Sequence, residues 1–251
     1  GSDDTENVKW SIKFGFKTPK CAGDYDGDLI DDLLFGDYAC NGMSGKAILV
    51  YGRTSWPAQV TVDSFESTLV NGKTQGVVFS SENNLRYQYI GYAVESLDLN
   101  LDGHADLVIS AYGAQSNRGQ IHVIWGGQTL PVSFTLPVTS TQQGCFFLGG
   151  VKTLTYGTDP VTEFYIGAKW GYAMTTGDVN GDSKIDLLFS TSTTSSVIVV
   201  FATPGASYTL NQSSISNSVS FTDSSAENFG SSLSTGDING DGFTDIFIGA
   251  Y

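Results

Sequence analysis

Four short acidic stretches stand in one frame along the chain: DYDGDLIDD at 24–32, DLNLDGHAD at 98–106, DVNGDSKID at 178–186 and DINGDGFTD at 237–245. An apolar run follows each at once: LLFGDY, LVISAY, LLFSTS and IFIGAY. An aromatic or apolar residue and a glycine precede each: Phe14-Gly15, Ile90-Gly91, Trp170-Gly171 and Phe229-Gly230. The loops start 74, 80 and 59 residues apart. Recurrence at this period constrains the fold more than any single residue does. Each copy is one supersecondary unit that buries its apolar face only by stacking on a neighbour.

Within each copy the acids alternate. With the first Asp as position 1, positions 1, 3, 5 and 9 carry Asp24, Asp26, Asp28 and Asp32; then Asp98, Asn100, Asp102 and Asp106; then Asp178, Asn180, Asp182 and Asp186; then Asp237, Asn239, Asp241 and Asp245. Carboxylates this close repel one another unless a hard cation joins them. Calcium takes six to eight oxygen ligands in irregular geometry. Position 7 would add a main-chain carbonyl, from Ile30, His104, Lys184 and Phe243. Up to four calcium ions are therefore expected. Gly103 and Gly242 at position 6 allow a sharp reversal, whereas Leu29 and Ser183 there predict strained turns. An EF-hand shares the opening, but it needs a glutamate at position 12 and flanking helices. Position 12 of the second loop is Ile109, inside a short apolar run that reads as a buried strand. Bare turns rich in Asp and Asn would not explain why the same four positions recur.

A second layer lies between the loops. GKAILVYG (45–52), GQIHVIWGG (119–127) and SSVIVVFA (195–202) read as third strands, and GVVFSS (76–81), GCFFLGG (144–150) and SVSFTD (218–223) as fourth strands. No helical period stands out. Four strands per repeat is the pattern of β-propeller blades. The frame F-G, then D-x-N-x-D-G-x-x-D, then three apolar residues and G-A resembles the FG-GAP repeat, most closely at NFGSSLSTGDINGDGFTDIFIGAY (228–251). That repeat builds the N-terminal propeller of integrin α subunits, the C-terminal region of GPI-specific phospholipase D, and some lectins. The resemblance spans essentially the whole chain. It implies an all-β propeller with about three and a half blades present, in units 7–75, 76–143, 144–217 and an incomplete 218–251. The favoured reading is a fragment of a larger ring. The rivals are ring closure by NVKWSIKF (7–14) and completion by another chain.

The formal charge of −14 argues against nucleic acid and anionic membranes as partners. The loops hold 13 carboxylates at positions 1, 3, 5 and 9, and four calcium ions would bring the balance to −6. There is no apolar run near the 18 residues of a membrane span. Gly1-Ser2 reads as a cloning scar, consistent with loss of a leader or flanking region. Cys21 and Cys40 flank the first loop and are candidates for a disulfide, Cys145 reads as a buried strand thiol, and Asn211 opens a glycosylation sequon. These features lean extracellular or cell-surface, as does the millimolar calcium such loops suit.

An enzymatic reading has little support. Both histidines sit in ordinary loop or strand settings, and no nucleophile elbow, phosphate loop or HExxH motif occurs. Trp125 and Trp170 are expected to be structural. Trp56, the tyrosines of NNLRYQYIGY (83–92) and the insertion at 151–168 are candidates for recognition of an unidentified protein or glycan. The expected function is a calcium-stabilised extracellular binding or adhesion module without catalysis. The alternatives are a non-catalytic propeller of a secreted hydrolase like GPI-specific phospholipase D, and a calcium-dependent lectin.

Overall fold

The computed structural model describes residues 20–56, 75–82, 85–137, 143–149, 151–156, 162–192, 195–203, 211–212, 215, 217–223, 225 and 228–251. For 151–156, 162–166 and 211–212 it describes the main chain alone. NVKWSIKF (7–14) and Phe14-Gly15 lie outside these residues.

Nearly all the regular structure is strand. β1 (Lys20–Gly23), β2 (Asp32–Asp37), β3 (Lys46–Val50) and β4 (Gly76–Ser81) form an antiparallel blade in chain order. The second blade starts with β5 (Ile90–Leu97), β6 (Asp106–Ala111) and β7 (Gln120–Ile124). β8 (Ser133–Leu136) then leaves it and pairs in parallel with β4 of the first blade. β9 (Gly144–Leu148) returns to complete the second blade against β7. A hairpin of β10 (Val151–Tyr156) and β11 (Thr162–Gly167) follows. The third blade repeats the plan with β12 (Trp170–Gly177), β13 (Asp186–Thr191) and β14 (Ser196–Val200). β15 (Asn211–Gln212) crosses back to pair in parallel with β9, and β16 (Ser218–Thr222) closes the blade. β17 (Ser232–Gly236) and β18 (Asp245–Gly249) are the first two strands of a fourth blade. The architecture is a partial β-propeller of four-stranded blades, as the repeat predicts.

The strands that begin at 76, 144 and 218 close the preceding sheet and do not open the next unit. Either cut is compatible with the sequence period; antiparallel pairing to the third strand decides it. Two short helices among the described residues, α1 (Cys40–Met43) and α2 (Ala114–Asn117), are single turns joining second to third strands. Asn41, Gly42 and Met43, and likewise Gln115, Ser116 and Asn117, have positive φ.

Two cores lie between consecutive blades. Leu34, Leu49, Val77 and Phe79 of the first blade meet Leu107, Ile109, Ile124 and Phe146 of the second. Val108, Val123 and Phe147 of the second meet Trp170, Leu187 and Phe189 of the third. β6 is thus buried on both faces, which explains its continuous apolar run. Trp170 is structural as expected, its ring 5.2 Å from Phe189.

The Phe-Gly step has a steric cause. Gly91 has φ +77°, and a Cβ there would collide with the Lys46 carbonyl and the Gly36 backbone of the neighbouring blade. The first strand bulges just after this glycine in the second and third blades. The bulged Ala93 and Ala173 N–H groups donate to the Ser110 and Ser190 hydroxyls at 2.9 and 3.0 Å. Gly91→Ala is expected to remove about 2–5 kcal/mol through positive φ plus overpacking, read from urea unfolding. A loss under about 0.5 kcal/mol, the usual range for a neutral surface site, would contradict the close approach.

His122 lies on the core face of β7 at 1% exposure, 5.9 Å from the Phe146 ring, with no partner for Nδ1 among the described residues. Burial alone pushes its pKa down to about 3. The unfolded chain protonates it near roughly 6.5. Its contribution to stability is therefore whole above that pH and is lost as pH falls toward 3. On moving from pH 7.5 to 5, the wild type should lose about 2 kcal/mol that His122→Leu retains. Unfolding curves of both proteins at the two pH values test this; parallel losses would show that His122 does not carry the effect.

Candidate metal centres and the tyrosine rim

The acidic loops join the first and second strands of each blade. Their backbone is organised by the acids themselves. Asp98 accepts the N–H groups of Asp102 and Gly103 at 3.0 and 2.8 Å. Asp24 does the same for Asp28 and Leu29, Asp178 for Asp182 and Ser183, and Asp237 for Asp241 and Gly242. These bonds, that from Gly242 foremost, hold the Asp237 carboxyl below its ordinary pKa. Position 5 then accepts from position 7: Asp28 from Ile30, Asp102 from His104, Asp182 from Lys184 and Asp241 from Phe243. The position-7 side chain is therefore not needed, as the mixed Ile, His, Lys and Phe there suggest. Asn100, Asn180 and Asn239 accept the position-5 N–H through Oδ1.

In the first loop Asp24, Asp26 and Asp28 bring one carboxylate oxygen each to within 4.8 Å of one another. Like charges held so close are relieved by a hard cation with oxygen ligands. The donor set fits calcium, with the position-7 carbonyls as further candidates. In the other loops an amide replaces one of the three acids. In the third, Lys184 Nζ lies 3.6 Å from Asp182 and competes for it.

Position 9 has a second role that spacing could not reveal. Asp106 Oδ2 accepts from Leu99 in its own loop, and Oδ1 accepts from Gly126 just beyond β7, at 2.9 and 2.8 Å. Asp32 brackets Tyr25 and Gly52, and Asp186 brackets Val179 and Ala202, in the same way. Burial pushes the Asp106 carboxyl up to about 7 and Asp32 up to about 6, against the pull of these bonds. Asp245 accepts from Ile238 in its own loop. Position 2 was also missed. Tyr25 is buried, its hydroxyl donating to the Trp125 carbonyl of the next blade at 2.6 Å, and Leu99 is buried in the following core.

All four loops have positive φ at position 6: Leu29 +67°, Gly103 +91°, Ser183 +66° and Gly242 +87°. Position 4 is left-handed too, including Leu101 at +60°. Leu29 is 92% exposed, so its side chain offers little to offset that strain. Leu29→Gly should raise stability by about 1 kcal/mol, measured by chemical denaturation; a decrease would mean that the leucine makes a contact worth more than the strain.

The expected bridge between Cys21 and Cys40 does not form, and both thiols are free. Cys21 sits opposite Leu33 in the β1–β2 register. Cys40 lies beyond the far end of β2, after roughly 13 Å of further strand, whereas a disulfide needs Cα atoms within about 7 Å. Its thiol donates to the Asp37 carbonyl at 3.3 Å. Cys145 is buried in β9, as expected. The Asn211 main chain pairs with Phe146 in the β15–β9 ladder. Trp56 is half exposed, with the Arg53 guanidinium 4.6 Å over its ring.

The opposite ends of the blades carry tyrosines. Tyr89 stacks on Tyr112 at 4.6 Å; Tyr92 meets Tyr38, Tyr112 and Tyr172 at 5.0, 4.4 and 5.3 Å. Tyr172 is also hydrogen-bonded to Tyr92 and Tyr251. Burial raises the Tyr92 and Tyr112 hydroxyl pKa values. Tyr87 and Tyr89 come from the stretch marked for recognition; Tyr38, Tyr112 and Tyr172 do not. The signal for Tyr38 and Tyr112 was present in the runs LLFGDY and LVISAY, which end in tyrosine at the same step, and Tyr172 follows Gly171 as Tyr92 follows Gly91.

Stacked four-stranded blades with an acidic hairpin loop at one end define a propeller-type repeat protein. Comparison with known families makes this specific: the FG-GAP repeat model matches residues 90–124 and 229–251, so the chain carries FG-GAP repeats. Such repeats form integrin-like β-propeller modules, which are generally extracellular binding modules. No curated protein shows a significant match to the chain. Among the described residues no helix is long and apolar enough to cross a membrane.

Proposed function

We propose that the chain is a calcium-stabilised binding module of the cell surface or extracellular space, without catalytic activity of its own. The observation that carries this reading is the division of the blades into two ends. Convergent acids occupy one end, as in Asp24, Asp26 and Asp28, and clustered tyrosines occupy the other. Strands of six to eight residues separate the ends by roughly 20 Å. Calcium would pin the hairpins without touching a partner, leaving the tyrosine end free for recognition. Tyrosine suits that task, since it offers a large rigid contact area with a polar tip.

At about 100 times its dissociation constant, one calcium site would add about 2.7 kcal/mol. Thermal melts with calcium and with EDTA, alongside a count of bound ions, test the reading. Asp102→Ala should lower the calcium-loaded melting temperature and change the EDTA melt little, because Asp102 is exposed. Asp106→Ala should lower both, because it also orphans the Leu99 and Gly126 N–H groups. Equal behaviour of the two variants in both conditions, with no ion bound, would refute a metal role for the loops.

A further inference from the structure

The tyrosine end repeats with the blades. Three positions meet at each boundary between blades: the residue just past the second strand of one blade, and the residues two before and one after the Phe-Gly-type glycine of the next. Between the first and second blades these are Tyr38, Tyr89 and Tyr92. Between the second and third they are Tyr112, Lys169 and Tyr172. Between the third and fourth they are Ser192, Asn228 and Ser231. The middle member has positive φ each time, +54°, +51° and +53°, which holds the three notches to one backbone geometry.

The side chains therefore decide what each notch is. Rings fill the first two, as the tyrosine contacts show. Serine at both ring positions leaves the third open. A cavity of about 250 Å³ stands there, lined by Lys169, Tyr172, Ser192, Asn228, Ser231 and Tyr251 among others. Lys169 is the only charged side chain among its described lining residues, and it is in no ion pair among the described residues. The rest of the lining is uncharged, with Phe229 beside the tyrosines, the Ser192 hydroxyl, and an Asn228 amide and Ser231 hydroxyl that also donate to the Tyr251 and Gly249 carbonyls. An ammonium with neutral donors around it, walled by tyrosine, suits a carboxylate better than a cation or an apolar group. Charge placement agrees. Of the 26 acidic residues, 14 lie in the loops at the other end of the blades. An acidic group reaching this notch is thus kept away from half of the protein's negative charge.

We propose that the notch between the third and fourth blades receives the carboxylate of an aspartate or glutamate side chain from a partner protein, with the adjoining tyrosines as the apolar part of the same interface. A polypeptide is favoured because the aromatic cluster continues beyond the cavity across Tyr172, Tyr92, Tyr112 and Tyr89. That is the composition of a protein-docking centre, where tyrosine is enriched. The proposal rests on the tyrosine end being the binding face.

The test is an NMR titration of the ¹⁵N-labelled full chain in calcium with N-acetyl-aspartate N-methylamide, its asparagine counterpart and methyl glucuronide. The aspartate probe should give saturable shifts at the Ser192 and Asn228 amides. The asparagine probe should bind about tenfold or more weakly, and Lys169→Gln should lose the aspartate response to the same degree. Ser192→Tyr, which fills the notch as Tyr112 fills its equivalent, should abolish it. Arg53→Gln, which removes a positive charge elsewhere, should leave it unchanged. The proposal is overturned by equal binding of the asparagine probe, by an unaltered Lys169→Gln, by the absence of saturable shifts, or by a response to the glucuronide alone, which would make the notch a site for acidic sugars. Any of these with calcium stabilisation intact would leave the calcium-stabilised module standing.

Discussion

Asp32, Asp106 and Asp186 each hold two backbone N–H groups, one from the acidic loop and one from the second residue past the third strand. Each is fully buried. A buried carboxylate is tolerated only when its oxygens are satisfied, so the loop and the third strand must close together. This couples the acidic hairpin to the middle of the blade. It also fixes where the chain enters the second strand, and hence which residues of that strand face each neighbouring blade.

Much of this was legible beforehand. The loop period predicted blades, and the apolar runs predicted strands. What stayed hidden depends on contacts distant in sequence. The second bond of Asp106 reaches Gly126, twenty residues on. Tyr25 reaches Trp125, a hundred residues on. Periodicity does not say which sheet a strand joins. The cysteine pairing failed because flanking a hairpin in sequence is not proximity once strand register is known. The tyrosines of the rim sat in plain view in the sequence, yet only the assembled blades show that Tyr38 meets Tyr92 and that Tyr112 meets Tyr172.

The two ends of the blades differ in how they tolerate change. At the acidic end, main-chain N–H groups bond to side-chain oxygens at nearly every position, and left-handed residues at positions 4 and 6 leave little freedom. At the tyrosine end the backbone repeats while the side chains vary among tyrosine, lysine, asparagine and serine. A fixed frame with variable occupants is the arrangement expected of a recognition surface.

β8 and β15 carry a different consequence. Each is a short strand donated backwards, sealing the outer edge of the blade before it. Phe134 of β8 lies 5.5 Å from Phe79 and is nearly as buried. A blade so sealed is not a free-standing module. Excising the second blade would strip the first of its last ladder, exposing an edge that invites aggregation. During synthesis the first blade stays open along that edge until the chain has advanced past Leu136. The propeller is therefore assembled like overlapping roof tiles, each course weatherproof only after the next is laid.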